Sequence, residues 1–190
     1  AALSGDLKVC AINVSKIAGD LILMSSGPRT GFGEITLPAR QNGSSIMPGK
    51  VNPVMAELLK EISFQIMGND TTITLAAQSG QLELNAFYPI MFANVFQSIK
   101  ILANGVHTAT VNCINGIEAN TNLCKALVER SIGIVTAFAP IIGYDKAAHI
   151  AKLALKNDKN VKDVIKEELN ITEDEMSKIL DIAKMANVNK

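Results

Sequence analysis

Leu3, Leu7, Cys10, Val14, Ile17, Leu21 and Met24 follow one another at steps of 4, 3, 4, 3, 4 and 3. That spacing keeps every member on one face of an α-helix, and in a strand it would scatter them over both faces. A stripe sustained over three heptads belongs to a helix in a long bundle, because a single helix has nothing against which to bury it. Ser25-Ser26-Gly27-Pro28 ends the pattern with residues that do not continue a helix. The first element therefore constrains the fold more than any other feature: the chain has to supply or recruit further helices.

Composition agrees. Of 190 residues, 48% are apolar but only 4% aromatic. A core of Leu, Ile, Val, Ala and Met suits packed helices better than a β-sandwich. Met55, Leu59, Ile62 and Ile66 give a second amphipathic helix, expected to end at Gly68-Asn69. Thr71–Thr74 is β-like by propensity. A long third helix is expected from Leu82 to Val111, striped by Leu84, Tyr88, Met91, Val95, Ile99, Leu102 and Val106, with a kink or break at Pro89. Beyond Gly116 the helical patterns shorten and charge concentrates from Asp145 onward. Asn160 and the capping box at Thr172–Glu175 mark two helix starts. The reading is an all-α chain: residues 1–120 form part of a long-helix bundle, and residues 121–190 a small helical C-terminal domain. The pattern is already helical at Ala1, with no Met and no cap, as expected for a piece of a longer chain.

Charge and cysteines exclude several classes of function. The 18 basic and 18 acidic residues balance, so the basic excess of a nucleic-acid-binding domain is missing. No unbroken apolar run reaches membrane-spanning length. Cys10, Cys113 and Cys124 are odd in number and irregularly spaced, which reads as reduced, cytoplasmic and without a disulfide framework. They are expected to be small buried apolar residues. His107 and His149 have no ligand partner at helical spacing and read as structural.

The stretch Gly43-Ser44-Ser45-Ile46-Met47-Pro48-Gly49-Lys50-Val51-Asn52-Pro53 carries the chemistry. Glycines permit backbone shapes closed to other residues. Successive N–H groups ahead of a helix N-terminus favour an anion, Lys50 adds a cation, and the Asn52 amide both donates and accepts. The serines place a hydroxyl proton acceptor beside such an anion. A phosphate loop is disfavoured, since the spacing is not GxxxxGK[ST] and no strand precedes it. Each residue also has a plainer reading. The serines serve as turn formers, Asn52 as the N-cap before Pro53 at the first helical position, Lys50 as a solvated charge and Glu57 as an exposed helix charge.

GSSIMPGKVNP resembles the signature of the aspartase/fumarase superfamily. Gly68-Asn69-Asp70, Ser79–Asn85 (SGQLELN) and the lead-in Gly31-Phe32-Gly33-Glu34-Ile35 with Leu37-Pro38 extend the likeness over the whole chain. Gln81-Leu82-Glu83-Leu84-Asn85 and Ser131–Ala137 are similar to the aspartase branch rather than the fumarases. The resemblance implies elimination of ammonia from L-aspartate to give fumarate. Ser44 would act as the base on a mobile loop, with Gly43 and Gly49 as hinges. Ser45, Lys50 and Asn52 would bind substrate, and Glu57 would support the site from behind. It implies no cofactor and no metal ligand, a small dicarboxylate substrate, and a homotetramer whose active sites are shared between subunits. Further site residues would lie upstream of Ala1, so that these 190 residues alone would be inactive. Two other readings stand beside it: a class II fumarase, and a non-catalytic helical oligomerisation module.

Overall fold

The apolar patterns produce three long helices; the first ends at Ser25 as expected, while the ends of the second and the start of the third depart from local rules. A computed structural model describes residues 1–180. The chain is all-α apart from one two-stranded sheet among the described residues. It divides into two compact units, Ala1–Asn120 and Thr121–Lys190. Residues 181–190 of the expected C-terminal domain lie outside the described residues.

In the first unit α1 spans Ala2–Met24, α2 Val54–Gln78 and α3 Tyr88–Asn112. The helix α2 packs along both of the others, antiparallel to each. Ser4 of α1 meets Asp70 near the end of α2, and Asn69 of α2 meets Ser98 of α3. The buried face of α1 is Ser4, Ala11, Ala18 and Leu21; of the expected large-residue stripe only Leu21 is buried, with Leu7, Val14 and Met24 half-buried. Leu3 and Ile17 are 55% and 56% exposed, and Cys10 is exposed. Small side chains let helix axes approach closely, so the intrachain seam is built mainly from them, and Leu3, Cys10 and Ile17 of the larger stripe face outward. The same holds for α3. It buries Ser98, Gly105 and Ala109, while Leu84, Tyr88, Ile99 and Val106 of the expected stripe are exposed. A Cβ on Gly105 would collide with the Ile62 side chain of α2.

The helix α2 does not stop at Gly68-Asn69, and Thr71–Thr74 is helical rather than extended. Two buried polar residues explain the continuation. The Asn69 amide donates to Ser98 Oγ at 2.9 Å and Gln97 Oε1 at 2.9 Å, and its oxygen accepts from Gln65 Nε2 at 2.8 Å. The Asp70 carboxylate accepts from Ser4 Oγ at 2.7 Å and Lys8 Nζ at 2.5 Å. Fully partnered in this way, both residues sit in a helix interior that their intrinsic propensity disfavours. The Lys8 ammonium, and then the Ser4 hydroxyl, hold the Asp70 carboxyl below the usual aspartate range.

The expected helix from Leu82 is also corrected. Gln81 and Leu84 exchange backbone hydrogen bonds of 2.9 and 3.0 Å in a tight turn, and α3 begins only at Tyr88. Pro89 then lies in the first helical turn, where its missing N–H leaves no bond unmade, so it starts the helix instead of kinking it. Of the three cysteines only Cys113 is buried, and burial pushes its thiol up; Cys124 is half-buried.

The second unit has a large-residue core. Its helices are α4 (Thr121–Arg130), α5 (Ala139–Ile142), α6 (Tyr144–Lys156), α7 (Val161–Leu169) and α8 (Glu173–Ile179). Phe138, Ile150, Val161, Val164, Ile165 and Met176 are each at most 1% exposed and form one cluster. Full burial of each such side chain contributes about 1.5–3 kcal/mol. Asn160 caps α7, its side chain accepting from Lys162 N. Thr172 and Glu175 form a reciprocal capping box on α8, as expected from sequence. No helix among the described residues is long and apolar enough to cross a membrane.

Candidate active site

The C-terminal end of α1 sets one wall of the site. Ser26 Oγ donates to Leu23 O at 2.6 Å and accepts from Phe32 N at 3.0 Å, and Gly33 N donates to Ser26 O at 2.7 Å. This closes residues 26–33 into a loop that delivers the chain to β1 (Ile35–Thr36). Strand β1 pairs antiparallel with β2 (Glu118–Ala119), Ile35 opposite Ala119. Asn120 N donates to Glu34 O at 2.9 Å and the Asn120 amide to Gly33 O at 3.2 Å. The connector Arg29–Gly43 is thus tied to the end of α3. Arg40 Nε reinforces the tie by donating to Asn112 O at 2.6 Å.

The serine loop stands on the other side. Ser44 Oγ accepts from the backbone N–H groups of Ile46 and Met47, both at 3.1 Å. Two amide dipoles therefore point at the hydroxyl oxygen, an arrangement that stabilises negative charge on it. Lys50 N donates to Met47 O at 3.3 Å, and Gly49 takes a φ of 79°, in the left-handed region that suits glycine. Gly43 N donates to Lys50 O at 2.9 Å, and the Asn52 amide donates to Gly43 O at 3.0 Å. Gly43 is therefore held at both its N–H and its carbonyl and does not fit the hinge role expected of it.

Asn52 is also not the N-cap. Pro53 occupies that position and no side chain caps α2. The Pro53 carbonyl accepts from Ala56 N and Glu57 N at 3.0 Å each, while the Asn52 side chain turns back to the loop. The physical reason is that the amide N–H, which a helix N-terminus cannot accept, turns the side chain to the Gly43 carbonyl nine residues upstream, and the amide oxygen makes no cap bond.

Between the two walls lies a cleft of about 620 Å³, lined by residues including Ser25, Gly33, Thr36, Lys50, Asn52 and Asn120. Of the residues selected from sequence, Lys50 and Asn52 come together on this cleft. Ser44 is half-buried and Ser45 exposed on the loop that carries them, outside the lining. Glu57 is exposed in the first turn of α2 and likewise lies outside the lining. Thr36 and Asn120 were not selected from sequence. Their only sequence signal is the unusual length of the Arg29–Gly43 connector, since β1–β2 pairing joins positions more than eighty residues apart.

Residues 1–68 match the Lyase family and residues 134–187 match the family described as Fumarase C C-terminus. Aspartate ammonia-lyase of Bacillus subtilis (strain 168) is 53% identical over 183 residues, 96% of this chain and 38% of that protein. The chain belongs to the aspartase/fumarase superfamily. Within the superfamily it is aspartase-like. Among solved structures, fumarate lyase:delta crystallin from Brucella melitensis superposes with a TM-score of 0.91 at 47% identity, over 96% of this chain and 40% of that one. The class II fumarase of Schistosoma mansoni superposes with a TM-score of 0.89 at 34% identity, over 98% of this chain and 39% of that one. The fold is thus shared with both structures, and the sequence identity is higher to the Bacillus subtilis aspartate ammonia-lyase than to the fumarase. The chain spans 38% of the length of the Bacillus subtilis relative.

Proposed function

We propose that the protein carrying this chain is an aspartate ammonia-lyase that converts L-aspartate to fumarate and ammonia. The observation that carries the reading is the pair of N–H bonds aimed at Ser44 Oγ, on a loop whose far end brings Lys50 and Asn52 to the cleft. Ser44, as the alkoxide, takes the proton from Cβ of aspartate, and the two amides hold the charge on its oxygen beforehand. The electron pair left on Cβ delocalises into the adjacent carboxylate, giving an aci-carboxylate with an additional negative charge. Ser45 donates to that group. Lys50 and Asn52 hold the other carboxylate, a cation and an amide matched to an anion. The electron pair then forms the C=C double bond as the C–N bond breaks, and the –NH3+ group leaves with the bonding pair as neutral ammonia, the Cβ proton remaining on Ser44. Glu57 supports the loop from the first turn of α2. The reaction as written needs no cofactor or metal ion.

The partner reading is a homotetramer with sites shared between subunits. It is supported by the outward-facing apolar residues of the first unit, among them Ile17, Phe64, Phe92 and Phe96, each more than half exposed. Such surface marks an interaction face. The odd, irregularly spaced cysteines favour a cytoplasmic setting. The fumarase reading draws less support, given 34% identity to the Schistosoma mansoni fumarase against 53% to the Bacillus subtilis aspartate ammonia-lyase.

Full-length protein incubated with fumarate tests the reaction. Aspartate formation that requires ammonium is expected, and malate formed without ammonium would overturn the assignment. Ser44→Ala in the same protein is expected to lower kcat by about 10²–10⁴-fold with the assembly intact, the range for a lost general base. Wild-type turnover in that variant would remove Ser44 from the mechanism.

A further inference from the structure

The loop between Gly43 and Lys50 is closed at its neck by two bonds that run in opposite directions. Gly43 N donates to Lys50 O at 2.9 Å, and the Asn52 amide donates to Gly43 O at 3.0 Å. In an antiparallel pair the second bond would come from a backbone N–H. Here that N–H, the one on Lys50, is already taken by Met47 O at 3.3 Å. The side-chain amide supplies the missing donor. The neck is also tight, since a Cβ on Gly43 would lie 2.6 Å from the Lys50 carbonyl carbon and 3.0 Å from Val51 Cα. Beyond the neck the loop braces itself, through Lys50 N to Met47 O and through the two amides on Ser44 Oγ.

We infer that Asn52 is a positioning residue: its amide locks the neck so that Ser44 and Lys50, the two chemical ends of the loop, move as one rigid clamp. Ser44 follows Gly43 directly, and Lys50 provides the carbonyl that Gly43 holds. The separation between proton acceptor and cation is therefore set at the neck and not by the loop tip. An amide has two N–H donors and an acceptor oxygen, so one N–H in the neck leaves the rest of the group for a carboxylate. The inference rests on the lyase reading for its catalytic consequence and on geometry alone for the neck. It also moves any hinge outside residues 43–52, into the connector before Gly43.

Amide hydrogen exchange of the full-length protein without substrate tests the neck apart from binding. Asn52→Ala, and Asn52→Asp, which keeps the shape and loses the donor, are expected to raise exchange over residues 43–50 about tenfold, as for one lost hydrogen bond. Exchange in α2 beyond Leu59 is expected to stay unchanged and reports intact folding. Gly43→Ala alters none of the proposed ligand groups and is expected to raise exchange in the same window. In turnover, Gly43→Ala and Asn52→Ala are expected to lower kcat at saturating substrate by at least about tenfold, more than they raise KM. Unchanged exchange in Asn52→Ala with the whole defect in KM would make Asn52 a ligand only and overturn the inference. So would wild-type kcat in Gly43→Ala. If instead Ser44→Ala keeps full turnover, the serine-base reading fails while altered exchange in the Asn52 variants still upholds the neck.

Discussion

The two units of this chain solve opposite packing problems. The helical unit Ala1–Asn120 buries mainly small and polar residues, Ser4, Ala11, Ala18, Ser63, Ser98, Gly105 and Ala109, around the aliphatic Leu21, Leu59, Ile66 and Ile73, and leaves Phe64, Phe92 and Phe96 on its surface. The unit Thr121–Lys190 buries Phe138, Ile150, Ile165 and Met176 at 1% exposure or less. A helix pair joined through alanine, serine and glycine approaches closely but removes little apolar area from water. The second unit has a core of its own in the ordinary sense, while the first has its largest apolar side chains still to cover. Tyr88, Phe92 and Phe96 line up on one side of α3 with successive ring centroids 6.0 Å apart, an ordered surface of the kind that packs against another helix.

The sharpest way to break this contrast is a pair of matched truncations in the full-length protein. Phe138→Ala is expected to cost about 3–5 kcal/mol, the range for a buried aromatic. It should be seen as lost exchange protection in α6 and α7. Phe96→Ala is expected to leave local protection in α3 near wild type and to weaken assembly in sedimentation. Equal loss of local protection from both would end the distinction between the units. A smaller effect sharpens the close-approach argument: Gly105→Ala drives a methyl group into Ile62 and is expected to destabilise by about 1–3 kcal/mol. A melting temperature unchanged from wild type would mean that α2 and α3 do not need the glycine.

The smallest expected effect concerns pH. Lys8 and Ser4 lower the Asp70 pKa in the folded chain relative to its ordinary value of 3.8. The charged form is the one favoured by folding, so its contribution is complete above the ordinary value. It is lost as pH falls through the lower folded value. Acid unfolding of the first unit is therefore expected to steepen below about pH 4, and Asp70→Asn to remove that part of the slope. An acid limb unchanged in Asp70→Asn would show that the α1–α2 pair makes no pH-dependent contribution.

Much of the site was legible beforehand because its chemistry is local. Ser44 and its two amide donors lie within four consecutive residues, and Lys50 belongs to the same turn. Asn52 was legible as important, and only its plainer reading as an N-cap fails, since its partner is the Gly43 carbonyl and not the helix it precedes. Thr36 and Asn120 were not legible at all, because they meet the cleft only through strand pairing across most of the first unit.

The same division governs the fold. Periodicity alone determined that the chain is helical. Short-range hydrogen-bonding rules determined the caps at Asn160 and Thr172, whose partners lie two and three residues away. Only tertiary structure decided which face of α1 and α3 is buried, since a heptad repeat carries a large-residue stripe and a small-residue stripe with the same period. It also decided that α2 passes through Asn69 and Asp70, whose hydrogen-bond partners on α1 and α3 lie 25 to 66 residues away. A local rule weighs a polar residue against water. The folded chain weighs it against a partner, and that partner exists only once distant helices have met.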